Sequence, residues 1–505
     1  MKPVYFSCFL LASLGSSSYA QLPVDSVLDL NQIQDQVQDQ VQDQIQDQII
    51  NSGVIENQVI DSQVLGDQLL GGDVLGGDIL AGDALGAGVL DQDLISGTLG
   101  ELDEAGRQVR DTLGSIGDAV PLDALAKTLP ILTRSGETAF VDVEVENGWR
   151  AVEREWLIML DKTELKLLSP LQADIIEQTD FAELDMVLVR FRVPAQWDSA
   201  AALKQRLPDH LHEQLDRNHI YAAQAANTAT ANNSDASLAV VCNAPVKIGM
   251  VDTAINREHS AFAKSQIIAR DFLGEKFTAP RAHGTAVAGL LVGGGELQAL
   301  LPNATLYAAS VFYPRNQYSQ GATMMDLVRA LNWLAGEKVS AINMSLAGPD
   351  NQILRTVIAR IAAHNIALIA AAGNEGPAAP PMYPAAYAEV IAVTAVDRAQ
   401  KIYRWANRGE HIDFAALGVS VKTARSDGGF GRETGTSIAT PLVSAFVVCE
   451  VAQANNSVSN ARAALSKTAI DLGAPGRDPM FGFGLLDATQ SVEVKNKLES
   501  HSKDN

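Results

Sequence analysis

Three residues of this chain have the types and settings for nucleophilic acyl chemistry. Ser437 stands in Gly435-Thr436-Ser437-Ile438-Ala439-Thr440-Pro441, where a small-residue turn opens an apolar run with the pattern of a buried helix. A serine there is surrounded by backbone N–H groups at the positive end of a helix dipole. Pro441 is read as part of the first turn, where a missing N–H costs nothing. A serine hydroxyl alone is a poor nucleophile; it needs a base, and the base needs an orienting carboxylate. His283, in His283-Gly284-Thr285-Ala286-Val287-Ala288-Gly289, opens a second small-residue helix. Asp252 closes the apolar run Ile248-Gly249-Met250-Val251, a buried strand. Two of them have ordinary alternatives. An Asp after a strand is often only a turn former, and a lone His is often structural. None of the other seven histidines has a comparable setting.

Taken together, the three motifs resemble the subtilisin-like (S8) serine peptidases. The order Asp, His, Ser and the wide gap between His and Ser both match that family. The resemblance covers about residues 240–490. Two neighbours differ from the family pattern: Ala254 stands where Gly is usual, and Ala286 where His is common. The resemblance implies an α/β fold, with a mostly parallel sheet covered by helices on both faces. It implies Asp252 as orienter, His283 as general base and then acid, and Ser437 as nucleophile. It also implies that the side-chain amide of Asn374, in Ala372-Gly373-Asn374-Glu375-Gly376, supplies an oxyanion hole with the Ser437 N–H. The stretch Asn343-Met344-Ser345-Leu346-Ala347-Gly348 resembles the family's substrate strand, so Ser345, Leu346 and Gly348 are the expected substrate contacts. Alone, Asn before Glu-Gly is a turn residue, and 343–348 is a strand end. The small residues 370–373 suggest an open, apolar first specificity pocket with no acidic group to favour Lys or Arg. The chemistry needs no cofactor and no metal. Structural calcium is compatible with such a protein but is not indicated by the residues.

Bulk properties narrow the partners. The chain has 505 residues, 60 acidic against 38 basic, and a net charge of −22. The charge is uneven: residues 21–130 hold 20 Asp/Glu against 3 Lys/Arg. No basic patch stands out, which argues against nucleic-acid binding. The expected partners are protein or peptide substrates. Residues 1–20 have the lysine, apolar core and small-residue end of a secretory signal peptide. No later stretch is apolar enough to span a membrane. The expected location is secreted or periplasmic. Cys242 and Cys449 could pair in an oxidising compartment; two small buried hydrophobes is the favoured reading.

Organisation along the chain follows composition. Residues 21–100 are acidic tetra- and pentapeptide repeats, with apolar residues first every four and then every five positions. They are read as a flexible low-complexity segment, with a short solenoid or an assembly element as alternatives. Their Gly-Gly-Asp units also suggest calcium, but calcium-binding nonapeptide repeats need another period. Residues 101–139 read as a helical spacer. Residues 140–226 read as a small α+β unit, with strands at 140–145, 156–160 and 186–193, a helix at 200–207 and an extended piece at 218–224. Its placement resembles the inhibitory propeptides of this family, which pack on the enzyme with their tail in the cleft; an ordinary accessory domain is the alternative. Residues 227–239 have linker composition, and 240–490 form the peptidase-like unit. Residues 491–505 are a tail.

The reading is a secreted serine endopeptidase made as a self-processing zymogen, with its own propeptide as intramolecular inhibitor. A processing peptidase of narrow specificity is the alternative. A catalytically silent interaction protein on the same fold is the non-enzyme alternative, and the intact set of residues weighs against it.

Overall fold

The computed structural model describes residues 126–487, apart from 161, 224–237, 275, 317–318 and 454–455. The expected signal peptide, the repeats, most of the spacer, the linker and the tail lie outside the described residues. All described residues belong to one compact unit, Thr98–Asn505.

The small unit begins earlier than its sequence pattern suggests. The end of the stretch expected as helical spacer is a strand, β1 (Thr128–Leu132), paired antiparallel with β2 (Thr138–Glu144). Four more strands follow: β3 (Arg150–Met159), β4 (Asp174–Phe181), β5 (Met186–Arg192) and β6 (Leu215–Ala223). A short helix, α1 (Ala200–Lys204), and 3₁₀ turns lie between them. Alternation explains the two-sided burial. Trp156, Ile158, Val189 and Phe191 face one way and build the unit's own core with Leu168, Leu203 and Leu211. Leu157, Met159, Met186 and Leu188 face the other way and join the core beneath the peptidase unit.

The peptidase unit is a seven-stranded parallel sheet, in the order β16-β15-β14-β12-β7-β9-β8. Its strands are β7 (Lys247–Asp252), β8 (Gln266–Asp271), β9 (Thr305–Ser310), β12 (Ala341–Met344), β14 (Ala367–Ala371), β15 (Val390–Val396) and β16 (Ile412–Leu417). The short strands β10 (Tyr313–Pro314), β11 (Gln320–Thr323) and β13 (Leu346–Ala347) lie off this sheet. A hairpin of β17 (Val421–Ala424) and β18 (Phe430–Glu433) completes the strands. The helices are α2 (Ala282–Val292), α3 (Met324–Gly336), α4 (Gln352–Ala363), α5 (Thr436–Ala452) and α6 (Val458–Thr468). Successive sheet residues point to opposite faces. Ile248, Met250, Ile369 and Ile391 pack with α2, α5 and α6. Val251, Ile342, Leu368 and Val390 pack with α3 and α4. A sheet buried on both faces is why these strands are apolar runs without polar alternation.

Two local expectations are corrected. Cys242 and Cys449 are joined in a disulfide across 207 residues, so they are not two independent buried thiols. Pro441 is not in the first turn. It is the sixth residue of α5, where its missing N–H removes a helical bond to the Ser437 carbonyl.

The disulfide ties the start of the peptidase unit to the far end of α5. A cross-link closing so long a loop restricts the unfolded chain, with an entropic ceiling of roughly 5 kcal/mol and ~2–5 kcal/mol typical on removal. Replacing both cysteines by Ala in a Ser437→Ala background, where autolysis is suppressed, is expected to lower stability to urea by that amount. An unchanged urea midpoint would show that this bond contributes nothing.

Candidate active site

The sheet brings the candidate residues to the carboxyl ends of neighbouring parallel strands, where ligands bind in folds of this kind. Asp252 ends β7, Ser345 follows β12, and Asn374 follows β14. His283 and Ser437 each stand second in a helix, α2 and α5, and these helices pack on each other.

Asp252 is fully buried. Its carboxylate accepts the His283 Nδ1–H at 2.8 Å (Oδ1) and 3.0 Å (Oδ2), and Oδ1 also accepts the Thr253 N–H at 2.7 Å. A proton held at Nδ1 leaves Nε2 as the basic nitrogen of the imidazole. The His-Gly-Thr motif explains how the pair is set. A Cβ on Gly284 would lie 2.4 Å from the Thr253 carbonyl oxygen and 2.7 Å from that of Ala254. The Gly284 N–H donates to Thr253 Oγ1 at 2.8 Å, standing in for the cap that Arg281 does not provide. Thr285 Oγ1 accepts the Asn256 N–H at 2.9 Å. Three contacts therefore clamp the first turn of α2 to the loop after Asp252.

Ser437 is buried, and its Oγ makes no hydrogen bond among the described residues. Thr436 fixes the turn before it. Asn374 Oδ1 accepts from both the Thr436 N–H and the Thr436 hydroxyl, each at 3.0 Å. The Gly373 N–H donates to Thr436 Oγ1 at 3.3 Å. Asn374 is thereby held against the turn that delivers Ser437. Asn343 braces the other wall: its Nδ2 donates to Ser345 Oγ at 3.1 Å, and its Oδ1 accepts from Ser444 of α5 at 3.0 Å.

The small unit reaches this site through β6. Its last residues pair antiparallel with both walls of a slot. Ile220, Tyr221 and Ala222 face Thr323, Ala322 and Gly321 of β11. Ala222 and Ala223 face Ala347 and Leu346 of β13. Tyr221 lies over Gly348, where a Cβ would come within 2.4 Å of its ring, and its hydroxyl donates to the Pro349 carbonyl at 2.7 Å. Gly348 is fixed in turn by paired backbone bonds with Tyr383. Thus Leu346 and Gly348 touch an extended peptide, and Ser345 is buried behind them. Two polar residues of β6 meet helix starts. Asn218 Oδ1 accepts the Met325 N–H of α3 at 3.1 Å, and Asp216 Oδ2 accepts the Gln352 N–H of α4 at 2.8 Å. Burial pushes the Asp216 carboxyl up to about 6, and burial with the Arg217 charge beside it holds the His219 imidazole down at about 3.

Thr253, Thr285, Thr436 and Asn343 were not singled out from sequence. Thr253 and Thr436 adjoin a candidate residue, and Thr285 and Asn343 stand two positions from one; that proximity is the signal that could have found them. Among the described residues, no group of three or more His, Cys, Asp or Glu side chains could hold a metal ion. No described helix is long and apolar enough to cross a membrane.

Comparison with known proteins decides the family. Residues 243–484 match the subtilase family, peptidase S8. Subtilisin DY of Bacillus licheniformis is 32% identical over 260 residues, covering 50% of this chain and 92% of that protein. The chain belongs to the subtilase family of serine peptidases. The minor extracellular protease Epr of Bacillus subtilis is 27% identical over 246 residues, or 48% of this chain and 37% of Epr. Subtilisin E of the same species is 31% identical over 215 residues, and the chain spans 53% of its length. The crystal structure of fervidolysin from Fervidobacterium pennivorans, a keratinolytic enzyme related to subtilisin, superposes with a TM-score of 0.57. It does so at 17% identity, over 73% of this chain and 64% of that one.

The clamp on α2 generates a test. Gly284→Ala puts a methyl group against two carbonyl oxygens and should push His283 away from the loop that carries Asp252. The expected result is a fall in kcat of about 100-fold with KM little changed, as for misplacement of a catalytic group. A kcat within a factor of three of wild type in casein hydrolysis would mean that the close approach does not set the pair.

Proposed function

We propose that this chain is a secreted serine endopeptidase that is made as a zymogen and cuts itself. The observation that carries the reading is an extended strand of the chain's own small unit, laddered into a slot beside a buried Asp–His pair. The peptide-binding walls are Gly321–Thr323 and Leu346–Ala347. Extended peptides bind such walls by adding a strand, with main-chain bonds for affinity and alternate side chains for selection.

In the proposed mechanism, Ser437 Oγ attacks the scissile carbonyl carbon as His283 Nε2 takes its proton. Asp252 holds the imidazole by Nδ1 and stabilises the imidazolium that forms. The carbonyl oxygen becomes an oxyanion and is met by Asn374 Nδ2–H and the Ser437 N–H. Collapse of the adduct breaks the C–N bond, and His283 returns the proton to the leaving amine. Water then repeats the sequence on the acyl-enzyme and releases the acid. No step calls for a metal or a cofactor.

The same geometry supports self-processing. The strand that fills the slot ends at Ala223, and residues 224–237 follow it before the peptidase unit resumes at Leu238. Those residues are mostly Ala, Asn, Thr and Ser, with no bulky side chain to protect the backbone. The first cut is placed here, as an intramolecular step favoured by effective concentration. The apolar stretch at the start of the chain and the extracellular kind of relative support secretion.

Ser437→Ala is expected to abolish casein hydrolysis, by several orders of magnitude, without unfolding the chain. The same variant should accumulate uncut, whereas wild type should yield a fragment of roughly 30 kDa beginning within 225–238, at the chain's mean residue mass. Intact mass and N-terminal peptide mapping, in a host poor in other proteases, decide the matter. A folded Ser437→Ala protein with activity within tenfold of wild type would overturn the nucleophile assignment. An uncut, fully active wild type would make the small unit an accessory domain.

A further inference from the structure

Beside the slot, and apart from its apolar face on α3 and α4, the small unit also touches the peptidase unit through its first hairpin. Strands β1 and β2 form a hairpin that continues into the first residues of β3. At Arg154 the backbone turns to φ 57°, and the pairing of β3 with β6 shifts register between Ala151 and Trp156. This bend carries the hairpin away from the small unit's own core. Ile131, Val152 and Ile220 instead pack with Leu273, Phe277 and Tyr313 of the peptidase unit. Phe140 of β2 meets Tyr313 edge-on, with centroids 5.1 Å apart, and Phe277 at 6.3 Å. The Arg134 N–H donates to the Lys276 carbonyl at 2.8 Å. The segment so gripped runs directly into α2, and the carbonyl of Pro280 accepts the Ala254 N–H just after Asp252.

Three buried charges lie under this contact. Asp142, Arg150 and Arg315 are 0%, 1% and 7% exposed. Arg150 belongs to the hairpin and is satisfied there: Nε donates to Asp142 Oδ1 at 2.7 Å, Nη1 to the Ala126 carbonyl and Nη2 to the Asp142 carbonyl. Arg315 belongs to the peptidase unit. Its ion-pair partner among the described residues is Asp142, with Nη2 and Oδ2 2.7 Å apart. The contact is ionic and not a well-directed hydrogen bond, since neither atom has a directed partner among the described residues. A buried cation that loses its counter-ion while it stays buried is strongly disfavoured. The pair therefore acts chiefly by penalising a docked hairpin that lacks Asp142, which is how a latch behaves.

We propose that the β1–β2 hairpin is a further inhibitory anchor, latched by Asp142 and Arg315, that sets how long the small unit stays bound after the chain is cut. The proposal rests on the zymogen reading above. A cut within 224–237 frees the end of β6 but breaks no hairpin contact. The unit is then held by this hairpin as well as by the slot and by its apolar face on α3 and α4. Any one of these can let go and rebind before the others do, so release is slower than from any one alone.

The test uses the full-length chain and follows two signals: linker cleavage by gel, and the onset of hydrolysis of a soluble peptide substrate. Wild type should be cut well before activity appears. Arg315→Gln and Asp142→Asn should be cut on the same schedule, but the interval from cutting to activity should shorten by at least about 30-fold, the lower end for truncating one partner of a buried charge pair. Arg315→Lys, which keeps the charge, should restore most of the interval. Normal cutting with an unchanged interval in both neutral variants overturns the latch and leaves the zymogen reading standing. A wild type that is never cut overturns both, and the gel alone reveals it. If the neutral variants accumulate poorly, hydrogen exchange on the Ser437→Ala precursor replaces the interval. Adding Arg315→Gln should expose the amides of 128–144 while those of 215–223 stay protected. Unchanged protection of 128–144 overturns the proposal.

Discussion

A slot one strand wide dominates this molecule. Its walls, Gly321–Thr323 and Leu346–Ala347, present rows of backbone donors and acceptors that must be paired by a strand or by water. In the structure β6 pairs with both. The same requirement explains why such a cleft takes an extended strand. Glycine at 321 and 348 follows from this. At 321 a Cβ would meet Ile220, Tyr313 and Arg315 within 3.0 Å, and at 348 it would enter the Tyr221 ring. Both walls must lie close to whatever strand fills the slot.

Chemistry is placed beside the slot by the sheet. Parallel strands all end on one side, so three neighbouring ends deliver Asp252, Ser345 and Asn374 to one region without long loops. The two helices that carry His283 and Ser437 then need only be held at their first turns. In both cases a threonine does it: Thr253 reaches across to the Gly284 N–H, and Thr436 is bound by Asn374 and Gly373. Short side chains with one rotor fix a backbone more tightly than long ones, because little rotamer freedom is lost.

The sequence made the chemistry more legible than the scaffolding around the small unit. Apolar runs such as 246–251, 366–371 and 390–396 are strands because a sheet buried on both faces leaves no alternation to mislead the reader. Asp252, His283 and Ser437 stood out because small residues crowd around them, and close backbone approach demands small residues. Strand β8 was missed: Gln266–Asp271 is an edge strand, mostly exposed, with little apolar signal. So was β4, whose inward positions Glu177 and Thr179 are polar because they face Arg329 of α3, which removes the apolar alternation. Strand β1 lies within the stretch 101–139 that reads as a helical spacer, and tertiary pairing with β2 overrode that local pattern. The disulfide was underrated because two cysteines 207 residues apart carry no spacing signal, and only the fold brings them together.

The proposed cut would change connectivity more than structure. After residue 237 the peptidase unit is tied to its own body at once. The Val241 N–H donates to Leu300, Cys242 is bonded to α5, and the Thr305 N–H donates to the Val246 carbonyl. A new N-terminus within 225–238 would therefore loosen nothing in the sheet or the site. The small unit keeps its apolar face on α3 and α4, where Leu157, Leu184 and Leu188 are buried with Met325, Leu331 and Ile353. Arg360 of α4 also holds the carbonyls of Leu184 and Asp185. Cutting the chain would weaken none of these contacts; it would remove only the tether. On the zymogen reading, the barrier to activity is then dissociation of the small unit. That step is governed by the contacts that must break together, of which the strand in the slot is one part.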